Sequence, residues 1–242
     1  MIRIGCCGLP LGLKNYSKEF KVVELNSTFY KLPKKETALK WRSYVEKDFV
    51  FCLKAFQAIT HDTSSPTWKK SGLKDIEIKK LAGKVGSLKT TKEVLEFWRK
   101  NLEICKVLDA KVCLIQLPKS FRDSEENLSN SEKFFERIER NDVKIAIELR
   151  GWREENIKKI CRKFDLIDCC DPFFRLPVYF GKEKIAYLRL HGKDKMYNYD
   201  YTKKDLLMLK KIVEDLKVND VFVFFNNIFM LKNAREFSRI VD

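Results

Sequence analysis

Histidine is nearly absent from the chain: two residues in 242, His61 and His191. The eight cysteines do not make up the shortfall, because positions 6, 7, 52, 105, 113, 161, 169 and 170 form no CxxC pair and no Cys/His spacing of a zinc site. Most sit in apolar segments, where a reduced thiol packs as a small hydrophobe. Only the doublets Cys6-Cys7 and Cys169-Cys170 leave room for thiol or metal chemistry. No apolar run approaches the roughly 20 residues that a membrane helix needs, and no leader pattern opens the chain, since Met1-Ile2-Arg3-Ile4 enters a strand at once. A cytoplasmic protein without a membrane partner is therefore expected. No Pro/Gly/Ser-rich linker interrupts the sequence, and 45% hydrophobic with 12% aromatic residues suffices for one large core, so a single domain over residues 1–242 is expected. Acidic residues are outnumbered, 34 against 49 Lys and Arg, for a formal charge of +15. That excess attracts anions such as nucleic acids, phosphates and acidic metabolites, although much of it is lysine dispersed over helix faces, as at Lys158, Lys159, Lys210 and Lys211, where it solvates the surface.

Eight short apolar runs begin at Ile2, Lys21, Phe49, Lys111, Lys144, Phe164, Ile185 and Asp220. Helical patterns lie between most of them. These include 36–45 with Trp41 on the apolar side, Thr91 to Leu108, a segment capped by Ser129 with Glu132, another capped by Thr202 with Asp205, and a closing stretch through Ala234, Phe237 and Ile240. Two connections depart from the pattern. Residues 57–90 far exceed the roughly 2 to 6 residues usual between strand and helix, and 172–184 carry two prolines and no period. Strands alternating with helices imply right-handed crossovers and a parallel sheet. Eight of them predict an α/β fold, a closed (β/α)8 TIM-type barrel with a reduced sixth helix and a long loop after the third strand. A doubly wound open sheet is the rival, and no GxGxxG follows the first strand to support it.

In six of the eight runs one register turns polar near the carboxyl end: Glu24 and Asn26, Lys54, Gln116, Glu148 and Arg150, Arg189 and His191, and Asn226. Alternate strand residues face one way, and parallel barrel strands end at one rim, so these groups are expected to converge inside the barrel mouth. The plain alternative is a salt-bridge network that closes the barrel. Chemically, Glu24 and Glu148 suit acid or base work, His191 suits proton transfer near neutral pH, and Arg150 with Arg189 suits a carboxylate or phosphate. Lys54, desolvated beside two arginines, would lose its proton and become nucleophilic. His61 stands in a loop beside Asp62 and several hydroxyl residues and fits an ordinary capped turn as well. A divalent metal on Glu24, Glu148, Asp171 and His191 would suit an aldose-isomerase-like reaction, but carboxylates beside so many cations make a poor cage. Two histidines also fall short of the multi-histidine zinc sites of barrel endonucleases. No metal or cofactor is required by the sequence.

The stretches VELNSTFY (23–30), the FxFxxKAxxxITH pattern (49–61), IQLPKSF (115–121), IELR with Trp152, LRLHGK with its following tyrosines (188–201), and FFNN with Asn233-Ala234 occur in this order. In this the chain resembles the YecE-like family, the domain of unknown function numbered 72, over nearly its whole length. The resemblance implies an eight-stranded α/β barrel related to sugar isomerases, with an unsettled activity. Its motif positions carry over to Glu24, Asn26, Tyr30, Lys54, His61, Gln116, Glu148, Arg150, Arg189, His191, Asn226 and Asn227. The chain departs from it at Gly5-Cys6-Cys7-Gly8, where members often carry a Gly-Ser/Thr-Gly-Trp turn, and in an expanded segment near 67–90.

The leading expectation is an enzyme, isomerase- or hydrolase-like, acting on a small anionic or polyhydroxylated substrate. Glu148 and His191 form its acid/base pair, Arg150 and Arg189 bind the anion, and Lys54 polarises or attacks a carbonyl. Tyr197, Tyr199 and Tyr201 cover the entrance or stack on a ligand. The alternative is a nucleic-acid-binding or nucleic-acid-processing protein that uses the basic rim. The pattern fixes no oligomeric state.

Overall fold

A computed structural model describes residues 1–241. The strands are β1 (Ile2–Cys6), β2 (Val22–Leu25), β3 (Val50–Lys54), β4 (Val112–Gln116), β5 (Lys144–Glu148), β6 (Ile167–Cys170), β7 (Ile185–Leu190) and β8 (Asp220–Phe225). All neighbours pair in parallel, in the order β1-β8-β7-β6-β5-β4-β3-β2. The ring closes at the β1/β2 seam through a single bridge between Cys7 and Glu24, where the Gly8 N–H donates to the Glu24 carbonyl at 2.7 Å. The result is the nearly closed (β/α)8 barrel that the alternating pattern predicts.

Period-two alternation divides the apolar residues between two cores. Phe51, Leu53, Ile115, Ile147, Leu188 and Phe225 point outward and pack under the helices. Val22, Cys52, Leu114, Ala146, Tyr187 and Phe224 point into the lumen and fill its lower part. All eight cysteines are buried and free. Burial pushes the thiols of Cys7 and Cys169 well above their ordinary range, so they pack and do not react.

The helices begin where caps permit. Thr91 accepts from the Val94 N–H at the head of helix Lys92–Leu108, and Thr202 with Asp205 forms a reciprocal cap on helix Lys203–Asp215. The cap expected at Ser129 is corrected. Ser124 accepts from the Asn127 N–H, and Glu125 and Glu126 in the first turn complement the helix dipole, so helix Glu125–Arg137 starts earlier and Ser129 lies inside it. Between β6 and β7 a salt-bridged loop takes the place of the sixth helix. Buried Asp168 receives both terminal nitrogens of Arg175, at 2.6 and 2.7 Å, and the Val178 N–H at 2.9 Å. After β3, residues 57–90 hold three short helical pieces, Gln57–Thr60, Pro66–Lys70 and Asp75–Lys80. Trp68, 2% exposed, pins this segment by donating to the Asp62 carbonyl at 2.7 Å. Gly86 adopts φ +83° against the Asp62 amide, where a Cβ would sit 2.4 Å from the Asp62 nitrogen.

One buried hydroxyl adds to the β1/β2 seam. Tyr16 accepts from the Cys6 N–H at 2.8 Å and donates to the Val22 carbonyl at 3.0 Å. Tyr16→Phe leaves that buried N–H and carbonyl unpaired and is expected to cost about 1–3 kcal/mol. Urea unfolding midpoints measure this, and an unchanged midpoint would show that the seam does not need the hydroxyl.

Candidate functional site

Arg189 lies at the centre of the polar register, fully buried at 0% exposure. Its Nη1 donates to Glu148 Oε2 at 2.6 Å and its Nη2 to Glu24 Oε1 at 3.0 Å. Tyr187 donates to Glu24 Oε2 at 2.8 Å, and Arg150 Nε donates to Glu148 Oε1 at 2.5 Å. Gln116 fills the remaining corner, accepting from Arg189 Nη1 and donating to Glu148 Oε1, both at 3.3 Å. Two carboxylates and two guanidiniums thus neutralise one another where an unpaired charge would cost several kcal/mol. Burial raises the Glu148 carboxyl, but the Arg189 and Arg150 guanidiniums outweigh it and hold the group well below the ordinary carboxylate range.

His191 completes this cluster. Its Nε2 faces Arg150 Nη2 at 3.1 Å and Arg189 Nη1 at 3.2 Å. Both guanidiniums can only donate, so Nε2 accepts and the ring proton belongs on Nδ1, which faces Asp171 Oδ2 at 3.6 Å. The same Asp171 oxygen receives the His191 backbone N–H at 2.8 Å.

Over the ion cluster lies a cavity of about 460 Å³ lined by Asn26, Tyr30, Lys54, His61, Gln116, Arg150, Tyr197 and Asn226, with Phe29 and Thr67 between them. Lys54 Nζ stands 4.0 Å from the centre of the Phe29 ring. Among the described residues it makes no hydrogen bond and no ion pair. Desolvation and then the charge of Arg189 lower its ammonium from 10.5 to about 8, against the pull of Glu24 and Glu148. His61 is held by Thr60, whose Oγ1 lies 2.8 Å from Nδ1, and by an edge contact with Phe29 at 5.0 Å. Burial and the Lys54 charge lower it from 6.5 to about 4, which leaves a neutral imidazole at physiological pH. Asn26 donates to the Cys7 carbonyl at 3.2 Å, and its buried Oδ1 has no partner. Tyr197 sits in left-handed backbone, φ 66°, with its ring edge-on to His191 at 5.7 Å.

A second cavity of about 340 Å³ lies on the other side of Arg150, which lines both; Glu148, Asp171, His191, Lys119, Phe174 and Met196 are among its walls. Larger hollows exist elsewhere, such as one of about 730 Å³ at the amino ends of the strands, lined by Lys47, Asp48 and Lys144. That end of a barrel carries stability, whereas the carboxyl end carries sites.

Several expected roles change in three dimensions. Glu24 and Arg189, expected to bind ligand, are both 0% exposed and lie beneath the chamber, where each is occupied by the other. Asn227 faces away from the mouth, donating to the Tyr199 carbonyl at 2.5 Å and to Asn233 Oδ1 at 2.9 Å, because successive strand positions alternate and Asn226 takes the inward one. Tyr199 and Tyr201 do not cover the entrance. Tyr199 donates to Asp205 at 2.9 Å, and Tyr201, 2% exposed, accepts from the Gly192 N–H at 2.8 Å. The four residues considered for a metal form no cage, since the Arg189 guanidinium lies between Glu24 and Glu148. Sequence reasoning passed over Tyr187, although it shares the register of Arg189. It also passed over Phe29, in the one-turn helix Ser27–Tyr30, and Lys119, Phe174 and Met196 on loops; neither a single turn nor a loop offers a period to read.

Arg189→Met leaves two buried carboxylates facing each other and is expected to destabilise the fold by about 3–5 kcal/mol, read from denaturant midpoints. Because the Glu148 pKa is lowered on folding, its contribution is complete above the unfolded value of 4.5 and is lost as the pH falls below it. Glu148→Gln should therefore flatten the acid limb of a stability–pH curve. An acid limb identical to that of the wild type would remove Glu148 from that role.

Comparison with known proteins agrees with the fold. A family model described as Protein of unknown function DUF72 matches residues 9–242. The UPF0759 protein YecE of Escherichia coli (strain K12) is 42% identical over 52 residues, a match that spans 22% of this chain and about a fifth, 19%, of that protein. The structure of a DUF72 family protein from Enterococcus faecalis V583 covers all of this chain and 95% of its own at 19% identity, TM-score 0.74. Another from Thermotoga maritima MSB8 covers all of this chain and 99% of its own at 22% identity, TM-score 0.66. Barrels with other names share the architecture, among them a D-psicose 3-epimerase at 7% identity and TM-score 0.58, covering 94% of this chain and 90% of its own, which speaks for the fold alone. With 234 of its residues matched by the family model, from 9 to 242, the chain belongs to the DUF72 family.

Proposed function

We propose that the protein is an enzyme acting on a small anionic or polyhydroxylated carbonyl compound, with Lys54 as the reacting group. The observation that carries this is a single unpaired, desolvated amine inside a polar chamber at the carboxyl end of the barrel. Near pH 8 a large fraction of Lys54 is neutral, and its lone pair attacks a carbonyl carbon. The N–C bond forms, the carbonyl oxygen takes up a proton, and loss of water leaves a Schiff base. Arg150, fixed by Glu148 and His191, offers its guanidinium to the anionic end of the substrate. Asn26 and Asn226 meet hydroxyl groups. His61 is neutral, tied at Nδ1 and without another side-chain hydrogen bond among the described residues, so its Nε2 is placed to pass the proton. Glu148 is held as a carboxylate and so positions Arg150 and His191, while His191 keeps the acid/base role only through its Nδ1–H and Asp171.

A second reading, nucleic-acid binding, is favoured by the +15 charge and by Lys119 at the mouth, which makes no ion pair among the described residues. It requires retention of DNA or RNA that weakens steeply with added salt; flat or absent retention removes it.

For the first reading, borohydride reduction in the presence of a panel of sugar phosphates and keto acids should add the mass of one substrate less one oxygen to the peptide containing Lys54, water being lost on condensation and two hydrogens gained on reduction. Lys54→Met should abolish the adduct. Trapping in the wild type should rise as the pH increases through about 8, since only the neutral amine reacts. An adduct on another lysine, or one that persists in Lys54→Met, overturns this role.

A further inference from the structure

The second chamber shares Arg150 with the first and is lined by Glu148, His191 and Asp171, yet the chemistry above places no part of the substrate in it. Phe174 and Met196 stand at its opening, 63% and 44% exposed, large apolar groups left in water on the loops after β6 and β7. Neither loop is loose. Arg175, next to Phe174, is clamped on Asp168, and the N–H groups of Phe173 and Phe174 both donate to Asp171, to its side chain and its carbonyl, each at 3.1 Å. Tyr197, next to Met196, donates its N–H to the His191 carbonyl at 2.5 Å from left-handed backbone. Asp171, His191 and Arg150 line the same cavity, as does Lys119, which makes no ion pair among the described residues.

We propose that this second chamber receives a planar unsaturated ring joined to the anionic, polyhydroxylated group in the first, so that the ligand is a nucleotide unit. An aromatic face and a thioether pack well against a flat ring, and aromatic stacking is how proteins hold nucleobases without depending on base identity. The polar side chains in its lining favour a ring with heteroatoms over an alkyl chain, which would return no hydrogen bond to Asp171, His191 or Lys119. The heteroatoms at a base edge do return one. Arg150 lines both chambers, and their walls run on from Pro118 to Lys119 and from Met196 to Tyr197, so the two lie side by side and a ligand that spans Arg150 would occupy both. The phosphate and sugar part of this assignment rests on the anion- and hydroxyl-binding role proposed for Arg150, Asn26 and Asn226 in the first chamber, and not on the Lys54 addition, since a nucleotide carries no free carbonyl; the ring part rests on neither.

Calorimetric titration of the whole protein with ribose 5-phosphate, nucleoside 5′-monophosphates, the matching nucleosides and a short single-stranded oligonucleotide tests it. A monophosphate should bind about tenfold or more tighter than ribose 5-phosphate, the gain expected from one stacked base. Phe174→Ala should erase that gain and leave ribose 5-phosphate binding unchanged; the ring is exposed, so an unchanged melting temperature checks the fold. Lys54→Met should weaken both ligands. Phe174-dependent binding confined to the oligonucleotide would support the ring site and assign its source to a nucleic-acid strand, and confined to the mononucleotide would assign it to free metabolites. If nucleosides bind through Phe174 while ribose 5-phosphate does not bind, the ring site stands and the first-chamber role fails. If ribose 5-phosphate binds and the base adds nothing, or the gain survives Phe174→Ala, the ring site is overturned alone. No binding by any of them overturns both.

Discussion

Everything in the barrel mouth depends on Arg189 sharing its guanidinium between Glu24 and Glu148. The three side chains come from β7, β2 and β5, and each is almost wholly removed from water. Charges at that depth persist only when their partners are fixed. The cluster therefore ties distant parts of the ring together and keeps the Glu148 carboxylate ionised. It also sets the charge on everything above it. Desolvation and the charge of Arg189 lower the Lys54 ammonium to about 8, so a large fraction of the amine is neutral near that pH, while Glu148 anchors Arg150 and keeps it directed into the mouth.

Below the cluster the lumen is apolar, with Cys52, Leu114, Ala146, Tyr187 and Phe224 among its residues. Above it the surface becomes polar within one step of the register. This boundary explains why Lys54 differs from the many lysines on the outer helices. The surface lysines are solvated, and several pair with carboxylates, as Lys100 does with Glu96 and Lys163 with Glu132. Lys54 has a phenyl ring at 4.0 Å and a buried cation nearby. A lowered pKa without a partner is a feature of reactive amines, and it arises here from position in the barrel.

The two connections that break the regular βα pattern are the ones that shape the mouth. The segment after β3 folds into short helical pieces over buried Trp68 and brings His61 to the chamber wall. The segment after β6 gives up its helix for the Asp168–Arg175 clamp and presents Phe174 to the second cavity. Irregular backbone is common at sites because a regular crossover carries its side chains onto the helix layer, away from the mouth.

Most of the fold was legible because barrel strands obey a period of two and helices a period of 3.6, and both leave marks in a linear chain. The eight strands, their inward register and the convergence of Asn26, Lys54, Gln116, Glu148, Arg150, His191 and Asn226 follow from alternation alone. Alternation also separates Asn226 from Asn227 and puts Asn226 in the inward register with Phe222 and Phe224, while Asn227 entered the expected site through the family resemblance alone. What only the tertiary structure decided is depth and partnership: Arg189 and Glu24 share the register of Arg150 yet lie beneath the chamber, because pairing across the barrel depends on the height of each strand around the ring. The loop residues Lys119, Phe174 and Met196 belong to no period, so their meeting at one cavity is set by the clamps that hold their loops. Sequence patterns encode direction, but burial and charge state arise only once strands far apart in the chain stand side by side.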